Sequence, residues 1–416
     1  MEPPDVGGRN GIDLPEVRVL KSEINHSGAL IITIESMKDT ATCHRCGKTI
    51  RKFHGHDDWV EIRYLPVFGR PTYLRYRPKR YRCEHCEGHP TTSQRLDWHE
   101  PHSPNAFMYE QHILLQLVNA TIEDVAMKEQ ISAASIVGIL ERYISAKIDW
   151  SQFTRLGQLG LDEIALTKGH GNFVAIVTSR SESGRIRLLA VLPNREKATV
   201  VDFLRSIPQR LKNTIECGCC DMYEGYTEAL REELPWVRIV IDRFHVTEAY
   251  RDGLDSLRKQ ELARLKKELS APDYKLLKGS MWALSKETQD LTQEEKQTLE
   301  RLFGWSPKLK TAYELQNALT AIFDEHLSVE VAKVKLEKWM VAVSKSGLTC
   351  YKDFIKTLDH WWNDILNYFV ARNSSGFIEG LNNKIKVIKR RCYGITNVAH
   401  LFQRIYLDLE GFRLFA

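Results

Sequence analysis

Leu159-Gly-Leu-Asp-Glu-Ile-Ala-Leu166 is an apolar run of strand length, broken by two acids, Asp162 and Glu163. Phe173-Val-Ala-Ile-Val-Thr178 and Arg185-Ile-Arg-Leu-Leu-Ala-Val-Leu192 read as two further strands. A helical pattern follows from Lys197 to Ile207, then a fourth strand in Thr214-Ile-Glu-Cys-Gly-Cys-Cys-Asp221. Met222 to Leu234 reads as a helix and Val237-Arg-Ile-Val-Ile-Asp242 as a strand. Three strands, helix, strand, helix, strand is an α/β order of ribonuclease H-like type. It places Asp162 in the first strand and Asp221 at the end of the fourth. Cys217, Cys219 and Cys220 suit small apolar positions inside a buried strand.

Downstream, Arg258 to about His360 is rich in Glu, Lys and Leu and helical throughout, an expected helical insertion. Beyond it comes Asn373-Ser-Ser-Gly-Phe-Ile-Glu-Gly-Leu-Asn-Asn-Lys-Ile-Lys-Val-Ile-Lys-Arg-Arg391, a helix with two faces after the break at Gly376. Ile378, Leu381, Ile385, Ile388 and Cys392 form an apolar stripe, while Glu379, Asn383, Lys386 and Arg390 recur on the other side. Lys384, Lys386, Lys389, Arg390 and Arg391 have no acidic neighbour between Glu379 and Asp408. One acid above a basic ladder suits a metal ligand beside a phosphate backbone. The pattern is also that of a solvated amphipathic helix. If the sheet gathers Asp162, Asp221 and Glu379, they offer the oxygen ligands Mg²⁺ prefers. Two ions about 4 Å apart could then activate a nucleophile and stabilise the leaving oxygen of an in-line displacement at phosphorus.

The N-terminal third has a different chemistry. Cys43-His-Arg-Cys46-Gly47 and Cys83-Glu-His-Cys86 are paired knuckles able to hold one tetrahedral Zn²⁺. His44, His54, His56, His85 and His89 are nearby alternative ligands. Between the knuckles, Arg63, Arg70, Arg75, Arg77, Lys79, Arg80 and Arg82 form a stretch without an acid. Tyr64, Phe68, Tyr73, Tyr76 and Tyr81 are interleaved with them, as on a nucleic-acid surface. Thr121-Ile-Glu-Asp opens one short helix and Ser132-Ala-Ala-Ser135 another, a helix-turn-helix spacing that aims Ser132 and Ser135 at DNA. Three-helix packing without DNA has the same signature.

The chain has 416 residues, 43% hydrophobic and 27% charged, and a net charge of +5, so an anionic partner must be met by local clusters. No apolar run reaches membrane-spanning length, and the first residues lack the pattern of a signal peptide. Nine cysteines, four of them in CxxC pairs, fit zinc in a reducing cytoplasm better than disulfides.

In order along the chain, Gly160-Leu-Asp162-Glu-Ile-Ala with Lys168-Gly-His170, Asp221-Met-Tyr-Glu-Gly-Tyr226, Asp242-Arg-Phe-His245 and the Glu379-to-Gly394 block resemble the signatures of one family. They are similar to those of bacterial insertion-sequence DDE transposases of the ISL-three family. The paired CxxC motifs and the helix-turn-helix also resemble that family's zinc-binding and DNA-binding regions. The resemblance implies Asp162, Asp221 and Glu379 as a catalytic triad holding two Mg²⁺ or Mn²⁺ ions, with structural Zn²⁺ on Cys43, Cys46, Cys83 and Cys86. It implies binding to double-stranded DNA, both terminal inverted repeats and target, by a homo-oligomer, expected as a dimer on paired ends. Arg75, Arg77, Lys79, Arg80, Ser132, Ser135 and the Lys384–Arg391 cations are the expected DNA contacts. Asp242 and His245 are accessory candidates, with a structural role for His245 standing beside a catalytic one.

The expected domains are 1–100 (zinc-binding), 101–155 (helix-turn-helix) and 156–416 (catalytic, with the helical insertion at about 258–370). The expected location is cytoplasmic, on the nucleoid when bound to DNA. A transposase-derived regulator that binds DNA without catalysis is the competing class, and a junction-resolving nuclease of the same fold would need no zinc module.

Overall fold

The computed structural model of the chain describes residues 12, 14–166, 173–373, 376–392 and 395–416, and for 376–379 the backbone alone. Lys168, His170, Tyr393 and Gly394 lie outside the described residues, as does the side chain of Glu379. The chain divides into two units, Met1–Ser145 with Gln403–Ala416, and Ala146–Phe402.

In the first unit the β-branched runs β1 (Val17–Ile24) and β2 (Leu30–Ser36) pair antiparallel. Short strands follow, β3 (Ala41–Thr42), β4 (Thr49–Ile50) and β5 (Lys52–His56), then the hairpin of β6 (Val60–Val67) and β7 (Arg70–Tyr76). β8 (Lys79–Arg82) and β9 (Thr91–Ser93) complete three sheets, β1-β2-β7-β6, β3-β4 and β5-β8-β9. The first sheet buries Ile32, Ile34, Ile62, Leu74 and Tyr76, whereas the apolar core between the knuckles is only Ala41, Cys43, Ile50, Tyr81 and Cys83.

Three helices come next: α1 (Phe107–Leu117), α2 (Ile122–Glu129) and α3 (Ala133–Tyr143). The Thr121 hydroxyl accepts from the Asp124 N–H at 2.9 Å, and the Ser132 hydroxyl from the Ser135 N–H at 3.1 Å, which caps α2 and α3. Gln130, at a left-handed φ of 57°, turns the chain between them.

The second unit is built on one mixed sheet. Its strands are β10 (Gly157–Ala165), β11 (Phe173–Arg180), β12 (Ile186–Leu192), β13 (Ile215–Cys220) and β14 (Arg238–Ile241). Spatial order is β12-β11-β10-β13-β14, with the β10–β11–β12 meander antiparallel and β13 and β14 parallel to β10. The strand-to-strand crossovers are α4 (Lys197–Ser206) with α5 (Gln209–Lys212), and α6 (Glu224–Glu233). Gly218 permits close seating of α6, since a Cβ there would stand 2.8 Å from Leu230 Cδ1.

After β14 the chain enters α7 (Arg243–Glu268), which runs unbroken through residue 258. A helical segment follows: α8 (Ala271–Lys275), α9 (Ser280–Leu284), α10 (Gln293–Trp305), α11 (Pro307–Asp324), α12 (Val329–Ser346), α13 (Lys352–His360), α14 (Trp362–Leu366) and α15 (Tyr368–Ala371). Leu254, Leu319, Leu336, Trp339 and Phe354 share one core with the sheet residues Leu159, Val177 and Val240. Asn367 donates to the Ile239 carbonyl at 2.8 Å and closes part of the outer edge of β14.

The apolar stripe of α16 (Gly376–Arg391) buries Leu381, Ile385 and Ile388. In α17 (Val398–Phe415) the residues from Gln403 onward belong to the first unit, where Leu407 joins Ile113, Val125 and Ile139. There the fully buried Arg404 donates to the carbonyls of Leu117 and Ala120, at 3.1 and 2.7 Å, and so ties down the turn that follows α1.

Candidate metal centres

Sulfur geometry decides the first centre. Cys43 and Cys86 Sγ are 4.0 Å apart, Cys46 and Cys83 Sγ 3.8 Å, and all four lie within 4.8 Å of one another. A tetrahedron with metal–sulfur bonds of about 2.3 Å has edges of about 3.8 Å, so the four thiols fit Zn²⁺. Gly47 and Gly88, with φ of 67° and 77°, supply the left-handed turns that fold each knuckle inward. His44 and His89 turn elsewhere, to the Thr92 hydroxyl at 3.0 Å and the Cys83 carbonyl at 3.1 Å. The Cys46 backbone N–H foremost holds the Cys43 thiol down at about 6, while the neighbouring Cys46 thiol foremost pushes Cys86 up to about 12. Four packed thiols share negative charge poorly, and a divalent cation removes that conflict.

The second centre follows from strand register. β10 and β13 pair Gly160 with Cys219 and Leu161 with Cys220, so the next position brings Asp162 beside Asp221. β13 and β14 pair Cys220 with Ile241, and the Asp242 N–H donates to the Cys220 carbonyl at 2.8 Å. Asp162, inside β10, thus stands in a row with Asp221 and Asp242, the residues that directly follow β13 and β14. The Asp242 carboxylate is engaged otherwise, capping α7 by accepting from the Phe244 N–H at 3.0 Å. One turn on, His245 returns to the row, and a ring nitrogen of His245 and carboxylate oxygens of Asp162 and Asp221 lie within 4.8 Å of one another.

The carboxylates are held in unequal surroundings. Asp162 Oδ1 accepts from the Glu163 N–H at 2.6 Å and Oδ2 from the Asn382 amide at 2.5 Å. Burial still raises its pKa against those bonds. Asp221 Oδ1 is buried with no hydrogen-bond partner among the described residues. Burial foremost pushes Asp221 up to about 6, Asp162 and Glu163 adding to the effect while His245 and Arg195 oppose it. An orphaned carboxylate oxygen beside a second buried acid is suited to a cation. Glu163 is tied off separately, by Arg195 at 2.6 Å.

Comparison with known proteins gives the family. An ISL3-type DDE model described as transposase matches residues 159–405, and the zinc-finger of transposases IS204/IS1001/IS1096/IS1165 matches residues 39–86. The chain belongs to the ISL3 transposase family. Its relatives include the transposase for insertion sequence element IS1001 of Bordetella parapertussis, 25% identical over 92% of both chains. The IS1557 transposase of Mycobacterium tuberculosis is 23% identical over 90% of this chain and 87% of its own. Among solved structures, the Drosophila P element transposase strand transfer complex is a distant likeness, with a TM-score of 0.42 and 11% identity over 73% of this chain and 91% of the other.

Of the seven cations singled out between the knuckles, the four expected at DNA all have internal partners. Arg75 grips Glu61 at 2.5 and 2.8 Å, and Arg77 donates to the Asp57 carbonyl at 3.0 Å and lies over the Trp59 ring. Lys79 meets Asp39, and Arg80 meets Asp57, each at 3.2 Å. On α16, Lys386 and Arg390 are exposed, Lys384 and Arg391 half-buried, and Lys389 donates to the Ala165 carbonyl, burial lowering its pKa. Sequence reasoning singled out Asn383 on this helix, yet Asn383 is exposed and Asn382 reaches Asp162. The double amide was visible; the helix rotation that distinguishes its members was not. Arg195 had no signal of its own, and the buried Tyr226, whose hydroxyl has no partner among the described residues and whose pKa burial raises, was quoted only as the end of the Asp221 block.

The knuckle core is too small to hold itself together, so Cys83→Ser is expected to lose the bound zinc, counted by atomic absorption, and to open residues 39–93 to protease. Full zinc content with unchanged cleavage would contradict the assignment. Because folding raises the Asp221 pKa from 3.8 to about 6, its contribution to stability is present below about 4 and lost as pH rises through 6. Metal-free Asp221→Asn should therefore melt above wild type at pH 8, the gap closing toward pH 4. A gap independent of pH would contradict the cause given.

Proposed function

We propose that the chain is a DDE transposase that binds the terminal inverted repeats of an insertion sequence and performs metal-dependent DNA cleavage and strand transfer. The observation that carries this reading is the meeting of Asp162 of β10 and Asp221 just past β13, with His245, inside the segment matched by the family model. Asp162, Asp221 and Glu379 are the metal-holding acids. Glu379 stands three residues before Asn382 on α16, the residue that touches Asp162. Two Mg²⁺ or Mn²⁺ ions bound there would lower the pKa of the attacking hydroxyl and neutralise charge on the leaving oxygen. Mg²⁺ prefers oxygen ligands, so His245 is read as a proton carrier at the leaving oxygen and Asp242 as the cap that fixes it.

In the first step water attacks phosphorus at the element end, the bond to the 3′ oxygen breaks, and a free 3′-hydroxyl remains. In the second that hydroxyl attacks a target phosphodiester, forming one bond to phosphorus and releasing another 3′-hydroxyl. Lys384, Lys386, Lys389, Arg390 and Arg391 hold backbone phosphates close to the acids. The mixed sheet, with its meander followed by two parallel strands, supports a ribonuclease H-like core. Within the proposed limits of 156–416 for the catalytic domain, the helical insertion covers about 258–370.

Residues 1–100 form the zinc-binding domain, with Zn²⁺ on the four cysteines. Residues 101–155 form the helix-turn-helix, α2 and α3 with Ser132 and Ser135 presented to DNA. Arg75, Lys79 and Arg80 contribute by exchanging their carboxylate partners for phosphates, a swap that costs little because surface ion pairs are weak, and Arg77 by exchanging the Asp57 backbone carbonyl. The protein acts as a dimer on paired ends, in the cytoplasm on nucleoid DNA. No helix among the described residues is long and apolar enough to cross a membrane.

The test is cleavage and joining of an end-labelled duplex from the DNA flanking the reading frame. Wild type with Mg²⁺ or Mn²⁺ should act, and Asp221→Asn and Glu379→Gln should lose at least about a thousandfold in rate while still binding, equivalent to about 4 kcal/mol of transition-state stabilisation. Tight binding with no cleavage by wild type would instead identify a regulator.

A further inference from the structure

Asn382 is 7% exposed, and the oxygen of its amide is buried. The NH₂ group donates to Asp162 Oδ2, but the carbonyl Oδ1 is buried with no partner among the described residues. A buried side-chain amide usually finds partners for both ends, and leaving the acceptor empty is unfavourable. A donor belonging to the loaded site would remove that penalty.

The surrounding contacts show what else this amide does. α16 is fastened to β10 by polar bonds at two points, Asn382 to Asp162 and Lys389 to the carbonyl of Ala165. From 382 to 389 the helix rises about 10 Å, at about 1.5 Å per residue. From 162 to 165 the strand also spans about 10 Å, at about 3.3 Å per residue. The two distances match, so α16 lies along β10 with its register set by these bonds and by buried Leu381, Ile385 and Ile388. That register fixes where the Glu379 backbone stands, about 4.5 Å along the axis before Asn382.

We propose that Asn382 is a positioning residue of the metal site. Its NH₂ fixes the rotamer of the Asp162 carboxylate, its carbonyl oxygen accepts from a water bound to the divalent ion, and its bond to β10 sets the height of Glu379. This rests on the reading of Asp162 and Asp221 as metal-holding acids. A side chain that orients a ligand and the solvent of the ion changes affinity for the ion without touching it.

The test is Mn²⁺ binding to the full chain, followed by the electron paramagnetic resonance of free Mn²⁺, with melting of the metal-free protein measured in parallel. Asn382→Leu keeps the branching at Cγ but neither donates nor accepts. It is expected to weaken Mn²⁺ binding by about 10- to 100-fold, while the metal-free melting temperature stays near that of wild type. Asn382→Ser, too short to reach Asp162, should show the same loss and stands in if the leucine variant does not fold. Unchanged affinity in a folded Asn382 variant, with binding abolished in Asp162→Asn, would overturn the inference and leave the site standing. Unchanged affinity in Asp162→Asn would overturn the site itself, and the inference with it.

Discussion

The parallel pairing of β10 with β13 and of β13 with β14 is the constraint on which the site depends. Side chains on a strand alternate between faces, so a slip of one residue would send a neighbour to the opposite side of the sheet. With Leu161 opposite Cys220 and Cys220 opposite Ile241, Asp162, Asp221 and Asp242 fall into one row. That register is held by the packing beneath it, including Leu159, Leu161, Cys220 and Leu230 in one buried cluster. An apolar core thus fixes the position of charged groups that would not choose one another's company.

Those groups are then sorted by their partners. Asp242 is occupied with capping α7, Glu163 with Arg195, and Asp162 is held by a backbone N–H and an amide. Asp221 alone of the four has a buried oxygen without a partner among the described residues. Close carboxylates that are desolvated and incompletely bonded resist ionisation until a cation arrives. The zinc knuckles show a similar logic with softer ligands, four thiols at the edges of a metal-sized tetrahedron. One centre stabilises a small lobe; the other is suited to chemistry at phosphorus.

How much of this could be read in advance varied with how local the signal was. The CxxC pairs and their turn glycine are local, and the sulfur cluster formed as their spacing suggests. The strand order was legible because each strand is a short apolar run, and it carried Asp162 and Asp221 into place. The basic stretch read as free of acids, yet Asp39, Asp57 and Glu61, upstream of it, fold back onto Lys79, Arg80 and Arg75. Cross-strand neighbours cannot be seen from spacing along the chain. The choice between Asn382 and Asn383 turned on about 100° of helix rotation, set by which apolar side chains of α16 reach the core. The return of Gln403–Ala416 to the first unit left no mark in composition, since α17 is continuous across the boundary.

The most direct measurement is an anomalous-scattering map at the manganese edge, from crystals of the full chain grown with Mn²⁺. A peak is expected at about 2.1 Å from carboxylate oxygens of Asp162 and Asp221, with Glu379 from α16 completing the oxygen set. A peak bound by Asp162, Asp221 and His245 with Glu379 turned away, or no peak between β10 and β13, would contradict the three-acid site.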